Sequence, residues 1–131
     1  FTIIKDYLIN KGNEVTDHGA YEYDALDDYP DFIFPCARAV ASDPLSRGII
    51  LGGSGQGEAM AANRVKGIRA AVFYNGPIDI IKLSREHNNA NVLSIGARFM
   101  SEDEIRSVLD VWFNEPFGGG RHQRRIDKLD L

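Results

Sequence analysis

Gly48-Ile49-Ile50-Leu51-Gly52-Gly53-Ser54-Gly55-Gln56-Gly57-Glu58-Ala59-Met60-Ala61-Ala62 passes from an apolar, β-forming run through four glycines into residues of high helix propensity. A strand that becomes a helix across such a loop leaves main-chain N–H groups unpaired above the strand's carboxyl end, where they attract negative charge. Glu58 sets the loop apart from a simple phosphate cradle. A carboxylate there would repel a phosphate, yet it could take a proton from carbon while the amides hold the oxyanion that forms.

Outward from this point the chain alternates between strand and helix patterns. Upstream, Ile3, Ile4, Tyr7 and Leu8 recur at helical spacing and Gly12 stands where helices stop. Glu14-Val15-Thr16 has the composition of a short strand, residues 17–30 read as a long polar and aromatic loop, and residues 31–42 predict a helix burying Phe34, Ala37 and Val40 or their neighbours. Residues 47–51 form the strand before the glycine loop. Downstream, residues 68–74 are a second apolar β-forming run, and Pro77 suits the first turn of a helix reaching about Glu86. Residues 91–95 predict another strand ending at Gly96. Ser101 and Glu104 have capping-box spacing ahead of the stripe Ile105, Val108, Leu109 and Trp112. Parallel strands require crossover helices, so the predicted fold is a doubly wound α/β sandwich, a parallel sheet covered on both faces. Ligands in such sheets sit at the carboxyl ends of the strands, which places residues 52–58, 74–77 and 96–98 at the expected site.

The 131 residues, 44% hydrophobic and 26% charged, suit one domain. A net charge of −4 argues against nucleic acid as a partner, although Arg121, His122, Arg124, Arg125 and Lys128 make the C-terminal segment, a predicted helix over about residues 121–131, locally basic. Cys36 is the only cysteine and reads as a small buried residue, so neither an internal disulfide nor a cysteine metal cluster is expected. No apolar run approaches the ~20 residues of a membrane span, and the expectation is a soluble cytoplasmic protein without membrane contact. Known loop signatures fit poorly. The third glycine of a dinucleotide fingerprint arrives one residue early, no lysine follows as in a P-loop, and Gln56 replaces the last glycine of a hydrolase elbow, which disfavours Ser54 as a nucleophile.

Taken with Asp28-Tyr29-Pro30, Ala61-Ala62-Asn63-Arg64, Gly67-Ile68-Arg69-Ala70, Arg85-Glu86-His87-Asn88-Asn89-Ala90-Asn91 and Arg121-His122-Gln123-Arg124-Arg125-Ile126, the glycine loop makes the chain resemble the type B ribose-5-phosphate isomerases over nearly its whole length. The wider family includes galactose- and allose-6-phosphate isomerases. The resemblance implies a Rossmann-like fold, an aldose–ketose isomerase without metal or cofactor, and an active site completed between subunits of a homodimer or tetramer. Two departures stand out. Many members carry a cysteine base at the position of Gly52, whereas this chain is similar to a branch with Gly-Gly-Ser-Gly-x-Gly-Glu that uses the glutamate. Members also begin with a strand and an Asp-His pair. Phe1 falls inside their first helix, so a truncated sequence lacking that strand and pair is expected.

Moving a proton between adjacent carbons of a sugar phosphate passes through an enediolate. Glu58 is the expected base, with main-chain amides of Gly53, Gly55, Gln56 and Gly57 stabilising the oxyanion, a contribution of roughly 3 kcal/mol per donor. Ser54 could shuttle a proton between the sugar oxygens. By resemblance, His87 opens the furanose ring, Tyr29 and Asn88 line the sugar pocket, and Arg98 binds phosphate together with Arg121 and Arg125 of the other subunit. His87 is expected at the ligand edge of the sheet, and His122 and Arg124 at the interface or in solvent. A six-carbon substrate and a noncatalytic sugar-phosphate-binding module are the competing expectations.

Overall fold

The computed structural model describes residues 2–19 and 26–130. Helix α1 (Thr2–Asn10) buries Ile4 and Leu8 and stops at Gly12, whose φ is +90°. Helix α2 (Pro30–Ala41) buries Ile33, Ala37 and Val40, with proline in its first turn. Strand β1 (Gly48–Gly52) leads through the glycine loop into α3 (Gln56–Ala62), followed by β2 (Ala70–Phe73), α4 (Asp79–Glu86) and β3 (Val92–Gly96). A 3-10 turn, Ala97–Phe99, precedes α5 (Glu102–Asn114), and α6 (Arg121–Ile126) closes the chain.

The three strands are parallel, in the order β1-β3-β2, with Gly48 and Ala70 both opposite Val92. Central β3 is buried at all five positions. Successive side chains of a strand face opposite ways, and each face of this sheet meets its own core. Leu93 and Ile95 join Ile4, Leu8, Ile81, Leu109 and Trp112 beneath α1, α4 and α5. Val92 and Ile50 join Ile33, Ala37, Val40 and Ala62 beneath α2 and α3. The predicted sandwich is thus realised, and the predicted capping box of α5 is present. Ser101 Oγ accepts from the Glu104 N–H at 3.2 Å, and Glu104 Oε1 accepts from the Ser101 N–H at 3.0 Å.

Three expectations need correction. Residues 14–16 form no strand. Val15 packs against the first core cluster, but Glu14, Val15 and Thr16 share with β1 the lining of an open groove of about 1130 Å³, and among the described residues no strand pairs with them. Pro77 precedes α4 rather than lying in its first turn, because Ile78 is the cap. The basic C-terminal helix ends at Ile126 and continues as turn to residue 130. Of the predicted 17–30 loop, the described residues lie outside regular structure up to Pro30, which starts α2; residues 20–25, like Phe1 and Leu131, lie outside the described ones. Among the described residues no helix is long and apolar enough to cross a membrane.

Candidate active site

The carboxyl ends of β1 and β3 bring together eight of the twelve site residues singled out in the sequence: Tyr29, Gly53, Ser54, Gly55, Gln56, Gly57, Glu58 and Arg98. Gly55 caps α3 with φ +77°, and a β-carbon there would lie 3.0 Å from Ser94 Oγ and 3.1 Å from the Ile95 carbonyl carbon. Only glycine meets both demands, the left-handed backbone and the close approach. Fully buried Ser94 then ties the loop to the central strand, its hydroxyl donating to the Gly55 carbonyl at 2.7 Å. A second tie runs from the Arg98 N–H to the Gly53 carbonyl at 3.2 Å. With its carbonyls engaged below, the loop is anchored across the strand ends.

Side chains converge on it. The half-buried Glu58 carboxylate lies directly against Gly52, so a β-carbon at that position would collide with it. Among the described residues it has no hydrogen-bond or ion-pair partner. The Arg98 guanidinium passes 3.0 Å from where a β-carbon of Gly53 would stand, and the Tyr29 hydroxyl 2.7 Å from the same point at Gly57. Glu58 and Tyr29 also line the groove along β1. Ser54 Oγ accepts from the Gln56 N–H at 3.3 Å, which holds the hydroxyl within the loop. A carboxylate, a hydroxyl, a phenol and a guanidinium thus surround one cradle of amides. Cys36 takes no part. It sits in α2, and burial pushes its thiol pKa up, away from the reactive range.

The other four lie elsewhere. In a β-α-β unit the helix runs antiparallel to its strands, so α4 starts near the carboxyl end of β2 and ends near the start of β3. His87, the C-cap of α4, and Asn88 therefore stand at the amino-terminal edge, opposite to the edge expected for them. The link from the Asn91 N–H to the Arg69 carbonyl at 3.0 Å, just before β2, marks that edge. The C-terminal helix docks there too, because the Gly118 N–H donates to the Glu86 carbonyl at 2.9 Å. Arg121 and Arg125, exposed on one face of α6, join His87 and Asn88 in a second cluster.

His122, expected at the interface or in solvent, belongs to this cluster as well. Its ring stacks on His87 with centroids 4.3 Å apart and planes 15° apart. Desolvation, then the charges of His87, Arg121 and Arg125, lower its pKa below the ordinary 6.5, against a smaller upward pull from Glu86. The signal was weak, since a histidine within a basic run reads as solvated until the helix is docked. Among the described residues no three His, Cys, Asp or Glu side chains form a group that could hold a metal ion.

Residues 2–129 match the model of the Ribose/Galactose Isomerase family. The chain belongs to that family. Within it, the chain is 44% identical over 124 residues to ribose-5-phosphate isomerase B of Mycolicibacterium paratuberculosis, covering 94% of this chain and 77% of that protein. The corresponding enzyme of Mycobacterium tuberculosis is 44% identical over 127 residues, 96% of this chain and 77% of that one. Among solved structures of the family, ribose-5-phosphate isomerase B of Mycoplasma genitalium with bound ribulose-5-phosphate superimposes with a TM-score of 0.91 at 43% identity, covering 98% of this chain and 84% of that one. The Thermotoga maritima enzyme gives 0.89 at 41% identity, covering 98% and 87%.

Proposed function

We propose that the protein is an aldose–ketose isomerase interconverting ribose 5-phosphate and ribulose 5-phosphate, with Glu58 as the base that carries the proton between C1 and C2. The observation that carries this reading is the placement of the Glu58 carboxylate against Gly52, at the mouth of the amide loop. Family members with a cysteine base need a side chain at that position. Here the carboxylate fills the same space from the helix side, so the two arrangements deliver a base to one place by different routes.

The enediolate oxyanion would sit on the amides of residues 53–57, where preorganised donors are worth most because they need no reorganisation during reaction. Ser54 would relay the proton between the two sugar oxygens. Arg98, flanking the loop, supplies cationic charge at its rim. The carboxylate alone suffices for the proton transfer, and no step calls for a metal or redox group.

His87, Asn88, Arg121 and Arg125 cannot serve the same sugar from the far edge of their own sheet. The reading therefore requires a second copy of the chain, whose amino-terminal edge faces the glycine loop and supplies ring opening, a pocket wall and the phosphate arginines. A two-fold dimer makes two such composite sites.

Mixing two inactive variants tests this arrangement. Glu58→Gln and the triple variant His87→Ala/Arg121→Ala/Arg125→Ala are each expected to be inactive. Co-refolded in equal amounts, they should regain activity at roughly a quarter of the sites, because half of the dimers are mixed and each mixed dimer holds one intact site. Absence of any recovery in demonstrably mixed dimers would overturn the shared site. Turnover of galactose 6-phosphate in preference to ribose 5-phosphate would overturn the five-carbon assignment, and saturable binding without turnover would favour the noncatalytic module.

A further inference from the structure

Asn89 is the only non-glycine residue among those described with a positive φ, +45°. This left-handed residue ends the helical path of α4, with the Asn89 N–H bonded to the Arg85 carbonyl at 3.0 Å and the Ala90 N–H to that of Ser84 at 2.9 Å. The reversal leaves the Asn89 and Ala90 carbonyls in need of donors at a turn where Asn89 is half-buried and Ala90 buried. Two arginines meet that need. Arg85 Nη1 donates to Asn89 Oδ1 at 2.8 Å and to the Ala90 carbonyl at 2.7 Å, while its Nε reaches the Glu115 carbonyl at 3.3 Å. Arg69 Nε donates to the Asn89 carbonyl at 2.8 Å. Asn91 completes the network, accepting from the Arg69 N–H at 2.8 Å and donating to the Gly67 carbonyl at 2.9 Å.

Arg85 is only 5% exposed, and no carboxylate pairs with it among the described residues. Burial, followed by the like charges of Arg47 and Arg69, pushes its pKa down to about 10. A buried cation without a counter-ion is costly, and an apolar side chain would fill the space more cheaply. What the guanidinium supplies is a planar fork that reaches acceptors on both sides of the turn, which neither a lysine nor an apolar residue can do.

We infer that Arg85, assisted by Arg69, is a positioning residue that fixes the turn after α4 and thereby the aim of His87 and Asn88 at the sugar. The inference rests on the ring-opening role proposed for His87. It assigns Arg85 no contact with substrate, since the side chain is spent on the Asn89 side chain and on the Ala90 and Glu115 carbonyls.

The test separates ring opening from proton transfer. Ribulose 5-phosphate cannot close a ring through its phosphorylated O5, so exchange of its C1 proton in deuterated water reports enediolate formation alone. Turnover of ribose 5-phosphate needs both steps. Three variants of the protein are compared with His87→Ala: Arg85→Met, Arg85→Lys, which keeps the charge without the fork, and Asn89→Gly, which keeps the left-handed turn without the side-chain acceptor. Arg85→Met and Arg85→Lys should slow ribose 5-phosphate turnover by about ten- to a hundredfold, and Asn89→Gly by a smaller factor in the same direction. At saturating ribulose 5-phosphate, C1 exchange should stay within about twofold of the parent, as in His87→Ala. Amide hydrogen exchange should accelerate at residues 87–91 while β3 keeps its protection. If Arg85→Met does not fold, Arg85→Lys and Asn89→Gly carry the test. Unchanged turnover, or equal losses in both assays with His87→Ala still selective, would overturn the positioning role while leaving the His87 assignment intact. Loss of selectivity in His87→Ala itself would instead overturn the ring-opening reading beneath it.

Discussion

Replacing Gly52 by alanine probes the base without touching it. The added β-carbon would occupy space now held by the Glu58 carboxylate. Non-bonded carbons settle about 3.5–4.0 Å apart, so the carboxylate has to withdraw by on the order of 1 Å. A misplacement of that size at a reacting group costs about a hundredfold in rate. Stability should change little. Gly52 has no positive φ, and any entropic gain of about 0.4–1 kcal/mol from alanine opposes the local crowding. We expect kcat/KM for ribose 5-phosphate to fall by about a hundredfold while the melting temperature moves by no more than about 4 °C. The assay is steady-state isomerisation beside thermal unfolding, for Gly52→Ala, Glu58→Ala and the pair. Once Glu58 has been shortened, the alanine has nothing to displace, so the double variant should be no slower than Glu58→Ala. Gly52→Ala at wild-type efficiency, or full additivity in the double variant, would refute the claim that the carboxylate acts from the space above Gly52.

Four further outcomes are expected. Glu58→Gln should abolish isomerisation yet retain sugar-phosphate binding by thermal shift, and residual turnover would point to another base. Replacing Arg121 and Arg125 together by alanine should raise KM for ribose 5-phosphate far more than it lowers the melting temperature, since both side chains are exposed on α6. His122 should titrate below its ordinary 6.5 in an NMR pH series. Because the folded-state value is depressed, the stability that neutral His122 contributes to the docking of α6 is fully present above the unfolded value and is lost as pH falls through the folded one; a midpoint at or above 6.5 would contradict the cation-flanked setting of its ring. Ser101→Ala removes the side-chain half of the capping box and should destabilise the fold by about 1 kcal/mol in chemical denaturation, with activity unaffected.

Local rules carried much of the architecture. The Ser101/Glu104 pair, the apolar stripe of α5 and the runs behind β1, β2 and β3 each depend on neighbours within a few residues, and each is present with bounds shifted by one or two positions. Glu14-Val15-Thr16 failed for the complementary reason. Strand propensity cannot form a ladder without a partner, and a partner is a long-range fact. The glycine loop was equally legible, because a strand, four glycines and a helix in succession define a turn wherever they occur.

Sequence alone determined the chemistry available to this protein, a carboxylate beside an amide loop with arginines further along the chain, and the alternation that makes a parallel sheet. Tertiary structure decided which of those groups share an edge. Glu58, Ser54, Tyr29 and Arg98 meet at the carboxyl ends of the strands, whereas His87, Asn88, Arg121 and Arg125 gather at the opposite edge with His122 and the Arg85 network. The physical reason is the direction of the crossover helix, which must run back along the sheet and so carries its C-terminal residues away from the loop that its sequence neighbours suggest.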